Sequence, residues 1–194
     1  MEMRYAVVGL ISLGLLLGRA GSVMAQDRDV PADDMELKAR QMEIDLRSQV
    51  ALDNLLATNP GAQILFDRAA GYAVFEVTKA GGFLVTGAVG SGVAANKVSG
   101  ARSYMRMGSG GIGLGFGAQK YDLIVMFEDE PHLQRFMGGG WDSSVTAQAA
   151  AGKEGVNVTS SFIDGVVFFQ VTDKGLIAIA DVAGTRFWVA DTLN

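Results

Sequence analysis

The sequence predicts an α+β domain: a strongly curved, mainly antiparallel sheet with glycine-rich strands, barrel-like at the limit of its curvature, plus about three helices. Three observations lead there. Two stretches with helical spacing precede a long region of short apolar runs punctuated by glycine. Within that region glycine occupies 111, 113, 115 and 117, alternating with Ile112, Leu114, Phe116 and Ala118. The C-terminal end reads as three short strands joined by two tight turns.

Residues 1–25 have the pattern of a secretory leader. Arg4 supplies the charge, Ala6 to Leu17 form an apolar run too short to span a bilayer, and Val23-Met24-Ala25 offers a small-residue cleavage site before Gln26. Residues 26–34 are polar, contain Pro31 and read as a disordered lead. One domain, 35–194, follows. From Met35 to about Ala57 the residues Met35, Ala39, Met42, Leu46 and Val50 recur at helical spacing between charges, and Leu52, Leu55 and Leu56 widen the apolar side. Asp33 or Asp34 caps this helix, whose apolar stripe is expected to pack on its own domain. Thr58-Asn59-Pro60-Gly61 breaks it, and Ala62–Ala70 forms a second, short helix.

Strands are expected at Tyr72–Val77, Gly82–Val89, Gly92–Asn96, Gly111–Ala118 and Tyr121–Phe127, the last apolar on both faces and therefore central. The strand at Gly111–Ala118 has one bare face. Four interior glycines cost roughly 2–4 kcal/mol relative to alanine, which close approach of a backbone, an aromatic ring or a ligand must offset. Pro131 suits the first turn of a third helix, capped by Asp129 or Glu130 and stopped by Gly138. Val166–Thr172, Leu176–Val182 and Thr185–Ala190 complete the sheet as a meander.

Composition narrows the function. The 194 residues carry a net charge of −5 and no cysteine. Without the leader the balance is 14 basic against 20 acidic residues, a poor match for nucleic acid. Disulfides, thiolate metal sites and cysteine nucleophiles are excluded. Gly108-x-Gly110-x-x-Gly113 matches the dinucleotide fingerprint in form, but no helix follows until Pro131, so the helix N-terminus which that motif requires is missing. There is no phosphate-binding Gly-Lys-Ser/Thr loop and no Gly-x-Ser-x-Gly elbow. His132 is the single histidine, and the acids Glu128-Asp129-Glu130 beside it suit a helix start without any metal. No catalytic residue, cofactor or metal is expected. Charge placement says more. Between Glu76 and Asp122 no acid occurs, while Lys79, Lys97, Arg102, Arg106 and Lys120 do, together with Phe83 and Tyr104, which are expected to be exposed aromatics. A basic, glycine-rich face suits phosphate headgroups.

The run Phe66-Asp67-Arg68-Ala69-Ala70-Gly71-Tyr72-Ala73-Val74-Phe75, then Lys79-Ala80-Gly81-Gly82-Phe83, resembles the SYLF (Ysc84-like) family. The likeness continues through Gly90-Ser91-Gly92-Val93, Gly113 to Gln119, Asp122, Leu133–Phe136 and Lys174-Gly175-Leu176, nearly the whole of 35–194. The resemblance implies a non-enzymatic domain that binds anionic phospholipid or phosphoinositide-type headgroups at a membrane surface. Some family members also bind actin, a property not carried over to an exported chain. Two departures, Ser103-Tyr104-Met105 and Ala150-Ala151-Gly152, replace the family's Trp-Ser-Pro and Ala-Gly-Pro patterns in what read as loops that shape ligand choice. Lys79, Lys97, Arg102, Arg106 and Lys120 are the expected headgroup contacts and Phe83 the inserted side chain, in a periplasmic or secreted protein peripheral to a membrane. The alternatives are a soluble lipid carrier of the cell envelope, or an envelope interaction module using the 35–57 helix.

Overall fold

A computed structural model describes residues 32–82, 85–111, 117–139, 141, 161–172, 175–177 and 184–194. The leader, most of the polar lead, Phe83, the centre of the glycine strand and the stretch 142–160 lie outside the described residues.

Helix α1 runs Ala32–Thr58, so Asp33 and Asp34 lie inside its first turn rather than before it, where their charge complements the helix dipole. Helix α2 is Pro60–Arg68. The Asn59 side chain accepts a 2.9 Å hydrogen bond from the Ala62 N–H, and Pro60 occupies the position where a missing N–H costs nothing. The expected break is therefore a cap. Helix α3, Glu130–Met137, starts as predicted: Asp129 Oδ1 accepts from the His132 N–H at 3.0 Å, with Pro131 in the first turn.

The strands are β1 Gly71–Gly82, β2 Val85–Asn96, β3 Arg102–Gly111, β4 Gly117–Phe127, β5 Val166–Thr172, β6 Gly175–Ile177 and β7 Thr185–Val189. All pairs are antiparallel, and their order is β6-β5-β4-β1-β2-β3-β7. The class is α+β, with β4 and β1 central. Three expectations change. The runs Gly82–Val89 and Gly92–Asn96 form one strand, β2, in unbroken register with β1 from Gly71↔Asn96 to Gly82↔Val85. Gly111 and Gly117 belong to different strands with the β1–β2 pair between them, so Gly111–Ala118 is not one strand. Finally, β7 does not continue the β5–β6 hairpin on its own edge but pairs with β3.

Among the described residues the order ends at β6 and β7, with no ladder joining them; the sheet is open and curved rather than a closed barrel. Its curvature can be measured. The Phe75 and Phe187 ring centroids lie 5.2 Å apart, although β2 and β3 separate their strands, a span of about 14 Å in a flat sheet. The glycines that permit the bend are on β2. A Cβ on Gly92 would sit 1.9 Å from the Val74 carbonyl oxygen and 2.8 Å from the Phe75 Cα. The concave side holds Phe75, Leu123, Phe127, Phe187, Leu133, Phe136 and Trp141. The convex side carries Val74, Ile124, Met126 and Phe169 under Leu52 and Leu55 of α1 and Leu65 of α2. Beside them Val93, Tyr104 and Leu193 pack on Leu37 and Ile44.

That packing reverses the expected orientation of α1. Met35, Met42, Leu46 and Val50 are 62, 70, 67 and 60 % exposed, whereas Ser48, Ala51, Leu52 and Leu55 are buried. The helix has two apolar sides, and the sheet takes the one that runs into Leu52 and Leu55.

Candidate functional site

Strand alternation assigns the polar side chains of the convex face. Asp122, Glu76, Ser91, Arg106 and Trp188 pair successively across β4, β1, β2, β3 and β7, forming one row on that face. The next row outward is Lys120, Thr78, Val89, Gly108 and Arg186. The row inward is the apolar Ile124, Val74, Val93 and Tyr104, which α1 and the C-terminal turn cover. Cover stops there. Val89 is 68 % and Trp188 45 % exposed; a Cβ on Gly108 would meet the Trp188 ring at 3.2 Å, so the indole lies across bare backbone.

Between this face and α1 runs a groove of about 300 Å³ lined by Arg40, Glu43, Arg47, Glu76, Arg106 and Asp122, among others. Arg47 reaches Glu43 at 2.7 Å and also hydrogen-bonds Glu76. The Glu76 contact raises the Arg47 pKa further above its ordinary value. Arg40 pairs with Glu36 at 2.7 Å. Arg106 makes no ion pair among the described residues. The groove thus mixes both signs, with the Arg106 guanidinium unpaired among the described residues.

The residues expected to meet a headgroup do not form one patch. Arg106 and Lys120 share the convex face, and Lys120 lies 3.7 Å from Glu76. Arg102 is on that face too but is paired with Asp45 of α1. Lys97, just past β2, donates to the Phe66 carbonyl and sits 4.3 Å over the Phe66 ring. Lys79 pairs with Ala88 and Gln119 in the register of the concave face, opposite Arg106. Phe83 lies outside the described residues. Tyr104, expected as an exposed aromatic, is buried; its hydroxyl donates to Asp45 at 3.1 Å, and burial raises its pKa. The departure Ser103-Tyr104-Met105 is therefore strand, not loop.

Arg186 and Trp188 were missed, although a signal existed. In Thr185–Val189 the burial alternates, and the sequence Thr-Arg-Phe-Trp-Val already places Arg186 and Trp188 on one side. Each acid near His132 has a structural partner: Glu128 lies 3.2 Å from Arg68, Asp129 caps α3, and Glu130 accepts from Asn96 at 2.8 Å. Among the described residues no three side chains are grouped as metal ligands.

Residues 108–194 match the sequence model of the Ysc84 family, described as Las17-binding protein actin regulator. The matched stretch contains Gly108, Lys120, Arg186 and Trp188. A relative from Aeromonas veronii, Beta cell expansion factor A, is 34 % identical over 157 residues, 81 % of this chain and 60 % of its own length. The chain thus spans about three-fifths of that relative.

Proposed function

Since the chain belongs to the SYLF, or Ysc84-like, family of binding domains, we propose that it binds anionic phospholipid at a membrane surface and catalyses no reaction. One observation carries this reading. The uncovered part of the convex face brings the exposed indole of Trp188 and the side chain of Val89 into adjoining rows with Arg106 and Arg186. Tryptophan favours the level of the headgroups, and a guanidinium engages phosphate with two parallel hydrogen bonds. The bare backbone at Gly108 lets the indole lie flat, so ring and cations present one surface. Lys120 adds to this surface at its far side, whereas Lys79, Lys97 and Arg102 are given a lesser part.

Co-sedimentation with phosphatidylglycerol and phosphatidylcholine vesicles over a salt series tests the proposal. Retention is expected on the anionic vesicles alone, falling as salt rises. Replacing Arg106 and Arg186 by alanine removes about 1 kcal/mol each near an anionic surface, a loss of roughly thirtyfold together. Trp188→Ala weakens the remaining, salt-insensitive part. Equal retention on both vesicles at all salt concentrations, or none on either, sinks the reading.

The same proposal includes export, resting on the leader pattern of residues 1–25. Protein recovered from outside the cytoplasm should begin at Gln26 on N-terminal sequencing. An intact Met1 terminus there contradicts a cleaved leader.

A further inference from the structure

We infer that α1 is the self-association surface of this protein, pairing with α1 of a second copy through Met35, Ala39, Met42 and Leu46. The inference does not rest on lipid binding. Its first basis is geometry. These side chains and Val50 beyond them point directly away from the side that Ile44, Ser48, Ala51 and Leu55 press onto the sheet, and Met35, Met42, Leu46 and Val50 are at least 60 % exposed. A surface helix with a single partner needs a single apolar side; this helix carries a second.

Spacing supplies the second basis. From Met35 to Ala39, Met42 and Leu46 the steps are four, three and four, the heptad period of a helix–helix seam. Two antiparallel copies related by a two-fold axis between residues 40 and 41 set Ala39 against Met42 and Met35 against Leu46. A small residue then faces a large one at the centre, and the interface is self-complementary as two-fold symmetry requires.

Charge decides between a second copy and a bilayer. The helix carries Asp33, Asp34, Glu36, Glu43, Asp45 and Asp53 against Lys38, Arg40 and Arg47, a net −3, which an anionic surface repels. Along one shoulder of the seam the charges are already neutralised within the helix, by Glu36–Arg40 and Glu43–Arg47, each at 2.7 Å. On the other, Asp45 is held by Arg102 and Tyr104, and Gln49 is bonded to Asp53 at 2.9 Å. Lys38, on that second shoulder, makes no ion pair among the described residues, so its charge is the one that pairing must leave in water. Within the overlap that this axis sets, residues 32–49, Met35, Met42 and Leu46 expose on the order of 400 Å² per copy, so pairing buries about 800 Å², the size of a weak, transient contact. The dimer should be weak and concentration-dependent.

Sedimentation velocity of the full chain across the micromolar range, without lipid, tests the inference. A reversible monomer–dimer equilibrium is expected, shifted to monomer by Met42→Asp with Leu46→Asp. Both positions are exposed, so far-UV circular dichroism and melting temperature should not change. The chain lacks cysteine, which permits a second measurement. An Ala39→Cys chain mixed with a Met42→Cys chain should cross-link on oxidation, while a Val98→Cys control, exposed in a distant turn, should not. A monomer at every concentration overturns the inference, as does a dimer insensitive to the double substitution. Loss of vesicle binding by the double variant, with wild type monomeric throughout, would assign the stripe to a membrane and overturn it equally.

Discussion

Gly92 shows how narrowly one position can be constrained. Its missing side chain is replaced by the backbone of β1, with the Val74 oxygen 1.9 Å from where a Cβ would stand. No rotamer change relieves a clash with a carbonyl. Gly92→Ala should therefore fall at the severe end of overpacking, about 3 kcal/mol or more, lowering the melting temperature by roughly 10 °C for a domain of this size. Gly110 is the control. Nothing lies within 4 Å of its Cβ position, so Gly110→Ala should be neutral or slightly stabilising, because alanine reduces the freedom of the unfolded chain. Thermal melts of the two variants separate a bend-forming glycine from one merely tolerated. The sequence shows both as glycine in a β-like run and does not distinguish them, since the distinction lies in the neighbouring strand.

At the scale of elements, local chemistry was readable and long-range pairing was not. Asn59, Pro60, Asp129 and Pro131 announce helix starts because a cap is made by residues a few positions apart. Helix α1 defeats the same reading. Met35, Ala39, Met42, Leu46 and Val50 form a clean stripe, yet the buried side is the one that continues into Leu52 and Leu55, and only the sheet determines which is used. Leu55→Ala should cost about 2–5 kcal/mol, whereas Leu46→Ala should stay within about 0.5 kcal/mol in the monomer. Denaturant titrations at low protein concentration compare them directly. The opposite ranking would place the expected stripe in the core after all. Strand β7 poses a related difficulty: nothing local to Thr185–Val189 specifies β3 as its partner.

For the whole molecule, the acid-free window between Glu76 and Asp122 was visible in the sequence, but its geometry was not. Alternation is strict within a strand and is reset by each turn. Lys79 on β1 and Arg106 on β3 thus come to lie on opposite faces. Acids from outside the window then enter its space: Asp45 from α1 takes Arg102, and Glu76 from the window's own boundary takes Arg47 and approaches Lys120. A linear stretch of positive charge becomes a face of mixed sign. Arg106, without an ion pair among the described residues, gains neighbours, Arg186 and Trp188, that come from far along the chain. The α+β class survived because glycine and period-two signals are local; the site shifted because it depends on which strands meet.

The two tryptophans have a consequence for observing this protein. Trp141 is buried, with its ring centroid 5.9 Å from Phe136 and 6.1 Å from Phe127. Trp188 lies exposed on the convex face. One indole therefore reports the integrity of the aromatic core, and the other reports what touches the open face. Their emission separates by colour and by access to a soluble quencher, so unfolding and surface contact can be followed in the same unlabelled sample.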